Sequence, residues 1–255
     1  MRKIKKIIIG LIFSLVFFLF VITTSVNFQL LNSSYLFSVF ERHQIYNELP
    51  KILSDSLLND PKLSAEEKLG LSMIFKNIPP AVVQSITQQN LTQVQSFIDG
   101  KSKDIVIFIP TKSLGLAPSD QTWSLSQNAP PQLKSQLQVL NGLKTKIIIF
   151  WILLLTALII LFFVYLKLAS NGKISGGKYL LILNGSVLAG LGITAKVLLL
   201  AIEQGPKNAR EPSQAILALL ASSLFSEIVY LWIIIGLILI LSSGIIIAAE
   251  KRSLI

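Results

Sequence analysis

Residues 147–166 read IIIFWILLLTALIILFFVYL, with no charge among them. The hydrocarbon core of a bilayer is about 30 Å thick, and an α-helix needs about 20 apolar residues to cross it. This stretch meets that length and decides the fold class. Residues 7–26 repeat the pattern behind Arg2, Lys3, Lys5 and Lys6. Residues 179–202 do so with one charge, Lys196, and a last apolar run ends just before Glu250, Lys251 and Arg252. The predicted fold is mainly α: a four-helix transmembrane protein. A mostly helical extracytoplasmic domain, with one short strand candidate, is expected between the first and second spans.

Composition agrees. Of the 255 residues, 52% are hydrophobic and 14% charged, and the mean hydropathy is +0.67. Ordinary soluble domains carry about 25% charged residues, and a soluble chain of this length cannot hide so much apolar surface. There is no cysteine, so disulfides, thiolate catalysis and cysteine-based metal sites are excluded.

The last apolar region is too long for one span. Residues 215–249 contain a single charge, Glu227, and as a helix would measure about 52 Å at 1.5 Å per residue. The span is therefore placed at 228–249. Residues 213–226 form either a short separate outer helix or a helical extension. Leu217, Leu220 and Leu224 recur there at helical spacing, which suits a helix lying in the membrane interface, and Pro212 suits its first turn.

The first span is expected to be a retained signal anchor. Its apolar run exceeds the usual 7–15 residues of a signal peptide core, and no A-x-A cleavage site follows. Lysine and arginine placement then sets the orientation. The segments expected in the cytoplasm (the N-terminal cluster, the 167–178 loop and the C-terminal tail) hold nine basic residues and one acid. The long segment 27–146 holds eleven basic residues against nine acids. Both termini are thus expected inside, and most of the +10 charge reports topology rather than nucleic-acid binding. The expected location is a bacterial plasma membrane, multi-pass.

The 27–146 segment reads as an α-rich domain with a linker and stalk. Phe37, Phe40, Ile45, Tyr46 and Leu49 mark a helix that Pro50 limits. Ile52, Leu53, Leu57 and Leu58 form a second stripe, and Asn59-Asp60-Pro61 a turn. Ser64 with Glu67 is a capping box opening a helix to about Lys76. Pro79-Pro80 breaks the chain, and residues 81–98 read as one or two helices ended by Asp99-Gly100. Residues 105–109 are the strand candidate, residues 116–131 a linker, and residues 132–140 a helical stalk.

Chemistry-bearing groups are sparse. His43 is the only histidine and reads as a surface residue without partner ligands. No HExxH or GxSxG occurs, and the adjacent Glu66 and Glu67 point about 100° apart on a helix, favourable charges for a helix N-terminus. The site candidates are therefore not catalytic, cofactor-binding or metal-ligating. Lys196 and Glu227 form a candidate intramembrane ion pair between the third and fourth spans. Gly185, Ser186, Ala189, Gly190, Gly192 and Thr194, with Gly244 and Ala248, form candidate helix-packing strips of small residues four apart. Asn184, Ser186 and Thr156 are the other polar span residues of note. Trp151, Tyr165, Tyr179, Tyr230 and Trp232 fall near span ends as an interfacial belt. Asn32-Ser33-Ser34 and Asn90-Leu91-Thr92 match the glycosylation triplet.

The expected function is a non-catalytic integral membrane protein, with no cofactor and no nucleic-acid partner. Its outer domain would bind or sense a partner, or scaffold a membrane complex. Its partners are the lipid bilayer and either itself or another membrane protein. A transporter or channel component is the alternative, and an extracytoplasmic enzyme ranks third. Topology is checked by reporter fusions at Ser175 and Ala117. The first is expected to report from the cytoplasm and the second from outside; an external signal at Ser175 reverses the orientation.

Overall fold

The computed structural model describes residues 2–59, 64–112, 118–128, 130–170, 177–202 and 212–252. Four helices are long and apolar enough to cross a membrane: α1 (Arg2–Ser25), α8 (Leu143–Ser170), α9 (Lys178–Ile202) and α10 (Pro212–Arg252). A π-helical turn, Val26–Leu30, follows α1. The other elements are α2 (Ser33–Arg42), α3 (Ile45–Asn59), α4 (Ala65–Lys76), α5 (Pro80–Ile98), β1 (Val106–Ile109), β2 (Gln121–Ser124), α6 (Leu125–Asn128) and α7 (Pro131–Leu140). The chain divides into a span unit, comprising 1–27, 147–199 and 225–255, and a helical unit, comprising 28–146 and 200–224. The mainly α class and four candidate spans agree with the sequence.

In the span unit, α1 runs antiparallel to α8. Phe13 meets Phe162, and Phe20 stacks on Trp151 with centroids 5.4 Å apart. Two indoles hold the end of α1: Trp151 donates to Thr24 Oγ1 at 2.8 Å and Trp232 to Ser25 Oγ at 2.9 Å. These tryptophans were expected only as interfacial anchors. Their polar edges instead take hydroxyls of a neighbouring helix, as half-buried indole N–H groups generally must.

The core of the helical unit is Phe40, Ile45 and Tyr46, with Leu49, Val83 and Leu91 packed on it. Phe40 and Tyr46 meet edge to face at 6.1 Å. Burial, reinforced by the Glu41 carboxylate, pushes the Tyr46 phenol above its ordinary range. Leu219, Leu220 and Leu224 of α10 complete this cluster. The 213–226 stretch is thus a helical extension, and two of its three predicted stripe leucines pack into a protein core. Leu217 stays exposed.

Several boundaries depart from the sequence reading. The first break falls at His43–Gln44, where Gln44 takes φ +51°; Pro50 lies inside α3. As the sixth residue of α3, it forfeits the one bond that an N–H would have donated to the Tyr46 carbonyl, and the helix continues through it to Asn59. The Ser64–Glu67 capping box forms as expected, with both reciprocal hydrogen bonds, and those bonds hold the Glu67 carboxyl below its ordinary range. The α5 segment is one helix. The supposed linker supplies β2, antiparallel to β1 with Ile107 opposite Trp123. Asn90 secures this ribbon, accepting from the Phe108 N–H at 2.7 Å and donating to the Phe108 carbonyl at 3.1 Å. Asn32 is the N-cap of α2, accepting from the N–H groups of Ser34 and Tyr35.

The stalk α7 does not run straight into α8. The chain turns at Asn141–Gly142, and Gly142 takes φ +67°. A second left-handed glycine, Gly100 at φ +77°, closes α5, and a Cβ there would meet Gly142 Cα at 3.4 Å. The Gly142 N–H donates to the Phe97 carbonyl at 3.4 Å. Asp99 completes this clasp, accepting from Gln95 at 2.6 Å and pairing with Lys101 at 3.1 Å and Lys144 at 3.4 Å. Burial alone would raise the Asp99 pKa. The Gln95, Lys101 and Lys144 contacts together outweigh it and hold the carboxyl below its ordinary value.

A depressed folded-state pKa contributes stability that is present above the unfolded value of about 3.9 and is lost as pH falls through the folded one. Asp99→Asn is therefore expected to lower the stability of the helical unit at pH 7 and to flatten the acid limb of its stability profile. Hydrogen exchange of residues 97–101 across pH 2–7 measures this. An unchanged acid limb would contradict the clasp.

Candidate functional site

The sequence-derived strips of small residues split into two faces. Gly185, Ala189 and Gly192 face α10 at very short range. A Cβ at Gly185 would lie 2.7 Å from the Gly236 carbonyl oxygen, and one at Gly192 would lie 2.6 Å from Ile233 Cγ1. Gly236 is the reciprocal partner, since a Cβ there would lie 2.7 Å from both Ala189 N and Gly185 O. The residue four on from it is Ile240, which is large, so the strip of small residues read at Gly244 and Ala248 did not extend to it. Ser186, Gly190, Thr194, Gly244 and Ala248 are exposed, and the Cβ positions of Gly190 and Gly244 meet nothing within 4 Å. These five do not pack helices within the chain. The strip repeats every four residues, but a helix turns every 3.6, so only one row meets the neighbour.

Lys196 Nζ donates to Ser226 Oγ at 2.9 Å and lies 5.1 Å from the Tyr230 ring centroid. It is thus held on the segment of α10 that carries Glu227. Several span hydroxyls bond back to their own helix, among them Thr156 to Ile152, Thr194 to Gly190 and Ser242 to Ile238. Ser14 Oγ, Ser243 Oγ and Asn184 Oδ1 do not. They are buried without a hydrogen-bond partner among the described residues, and Asn184 is 2% exposed. The three lie on three different helices of the span unit, α1, α9 and α10.

In the helical unit a cleft of about 420 Å³ opens beside the clasp. Phe97, Ile105 and Leu137 supply apolar walls, and Lys103, Lys134 and Asn141 supply polar ones. Asp104 also faces the cleft and accepts from Ser124 Oγ at 2.5 Å. Asn141 Nδ2 donates to the Ser102 carbonyl at 2.8 Å, which holds the end of α7 against the 101–105 turn. Asn141 is two residues before α8 begins. The cleft draws on α5, the turn before β1 and α7, three elements far apart in sequence, so no local motif announced it.

His43 is the C-cap of α2, its backbone N–H donating to the Val39 and Glu41 carbonyls. Glu67 is committed to its capping box. No group of three or more His, Cys, Asp or Glu able to hold a metal occurs among the described residues.

The glycine contacts predict a sharp contrast. Gly236→Ala places a methyl group against backbone, and overpacking of this kind costs about 1–3 kcal/mol. Gly190→Ala and Gly244→Ala enter open space and are expected within about 0.5 kcal/mol of the parent. Unfolding of the purified protein in mixed detergent measures the difference; equal stabilities would contradict the α9–α10 packing. Comparison of the chain with protein-family models, with curated proteins and with solved structures finds no match.

Proposed function

We propose that the protein is a non-catalytic multi-pass membrane protein whose helical unit lies outside the cytoplasm and senses a ligand or partner. The single observation that carries this reading is the cleft beside the clasp. Its volume of about 420 Å³ falls within the about 300–1,000 Å³ typical of small-molecule sites. Its mixture of apolar wall and convergent polar groups suits a small molecule with an apolar body and an acidic end, which Lys103 and Lys134 would meet.

The position of Asn141 supports sensing in particular. A ligand in the cleft touches the residue at which α7 turns towards α8, itself a candidate span. Occupancy would favour one geometry of that turn, and a ligand shifts such an equilibrium by its differential affinity for the two geometries. The orientation rests on the lysine and arginine distribution. The commitment of the Glu67 carboxylate to its capping box supports binding over catalysis.

The buried polar atoms of Ser14, Asn184 and Ser243 favour a second reading, a transporter or channel component. Polar groups turned inward between spans are what a solute path requires.

Affinity purification in mild detergent followed by native mass spectrometry tests the first reading. The parent protein is expected to retain a ligand or partner that Leu137→Trp, which fills the cleft, loses by tenfold or more. Retention unaffected by Leu137→Trp, or an empty and monomeric parent, would overturn it. Liposome flux that falls with Asn184→Leu would establish the second reading instead.

A further inference from the structure

Apolar surface does not stop at the edge of the cleft beside the clasp. Leu137 lines the cleft. Leu140, three residues on in α7, shares its face, because residues three apart are neighbours on a helix. Leu140 is outside the cleft lining and 41% exposed, and Val139, next to it in sequence, is 67% exposed. The stripe from Leu137 to Leu140 therefore leads out of the cleft towards the C-terminal end of α7. The next helix, α8, begins at Leu143 and enters its uncharged run at Ile147. An apolar path thus follows α7 from the cleft to the residues that lead into a candidate span.

The polar side of the cleft is basic. Lys103 comes from the turn before β1 and Lys134 from the first turn of α7. Lys103 is exposed and has no hydrogen bond or ion pair among the described residues. Lys134 Nζ donates to the Gln127 carbonyl at 3.3 Å, and an ammonium group carries three donors, so this bond leaves others for a ligand. The Asp104 carboxylate is already engaged by the Ser124 hydroxyl. Two lysines against one aspartate give the lining a net charge of +1, which matches a monovalent anion.

Resting on the reading of the cleft as a ligand site, we infer that its ligand is a long-chain fatty acid taken from the membrane. The carboxylate meets the Lys103 and Lys134 ammonium groups. The first part of the chain lies against Phe97, Ile105 and Leu137, and the rest follows Leu140 out of the cleft. The volume of about 420 Å³ is near the lower end of the about 300–1,000 Å³ range of small-molecule sites, which suits one acyl chain rather than two. A compact acid would fill the cleft and leave Leu140 in water, whereas a long chain covers it, and affinity grows with the apolar area covered. A single acyl chain is held by a bilayer only reversibly, so a fatty acid can leave the membrane for the cleft.

The test uses the full chain in mild detergent, with native mass spectrometry and thermal unfolding. Palmitate, its uncharged methyl ester, butyrate and lysophosphatidylglycerol are titrated separately. Palmitate is expected to remain bound, one per chain, and to raise the unfolding midpoint. The ester lacks the charge and butyrate the chain, and each is expected to be retained at least tenfold less. Lys103→Gln with Lys134→Gln is expected to weaken palmitate retention at least tenfold, and Leu140→Ser to weaken it several-fold. Lys112→Gln, at an exposed lysine outside the cleft, is expected to leave it unchanged. Lys103→Arg with Lys134→Arg keeps the charge and is expected to retain palmitate, which separates loss of the site from loss of the fold. Equal retention by the double glutamine variant, equal binding of the ester, or tighter binding of lysophosphatidylglycerol would overturn the inference. If palmitate fails to bind while Leu137→Trp still strips another ligand from the parent, the fatty acid is wrong and the cleft reading stands. Palmitate retention that Leu137→Trp leaves unchanged overturns both.

Discussion

The close approach of α9 and α10 at Gly185, Gly192 and Gly236 sets the frame of the span unit. Between helices in lipid there is no hydrophobic gain to drive association, since the surrounding tails are as apolar as the side chains. What remains is close contact, and glycine supplies it by letting backbone meet backbone. The 2.7 Å clearance at Gly236 leaves no room for a methyl group. With that seam fixed, Ser226 is brought to Lys196, and Trp232 stands where it can take the Ser25 hydroxyl. The polar contacts at the ends of the spans depend on the apolar seam between them.

The same helix explains the excess length in the last apolar region. At 41 residues, α10 measures about 61 Å at 1.5 Å per residue, twice the hydrocarbon thickness. Its two parts bury their apolar faces in different surroundings. Residues from Phe225 onward belong to the span unit, while Leu219, Leu220 and Leu224 pack on Phe40, Ile45 and Tyr46 in the helical unit. An apolar run longer than a bilayer therefore needs no interfacial resting place when a protein core accepts the surplus.

The sequence was most legible where one physical rule acts locally. The presence of four long apolar helices, the Ser64–Glu67 capping box and the Pro79-Pro80 break each depend on a few neighbouring residues and appear in the structure as read. It was least legible where distant partners decide. The α2–α3 break needs Gln44 in a left-handed conformation, which no glycine or asparagine marks. The β2 strand is only QTWS in a polar stretch, and it exists because β1 offers a partner and Asn90 secures the ribbon. Likewise, the small-residue spacing in α9 was visible, but which row faces α10 depends on Gly236. The cleft beside the clasp was invisible for the same reason: its walls come from Phe97, Lys103 and Leu137, which only the folded chain brings together.

Hydrogen bonding divides the span polar residues into groups with different consequences. A serine or threonine that bonds its own preceding turn, as Thr156, Thr194 and Ser242 do, is satisfied wherever it points and can face lipid. Thr24 bonds its own turn and also accepts from Trp151, so it serves as a fastener between helices. Ser14, Ser243 and the Asn184 carbonyl oxygen do neither, yet they are buried. A buried polar atom without a partner costs about 1–3 kcal/mol, and three of them on three helices add to that cost. Leucine or alanine at these positions would pack the bundle without it. These three positions are therefore the part of the span unit least accounted for by packing, and the part where a function within the bundle would leave its mark.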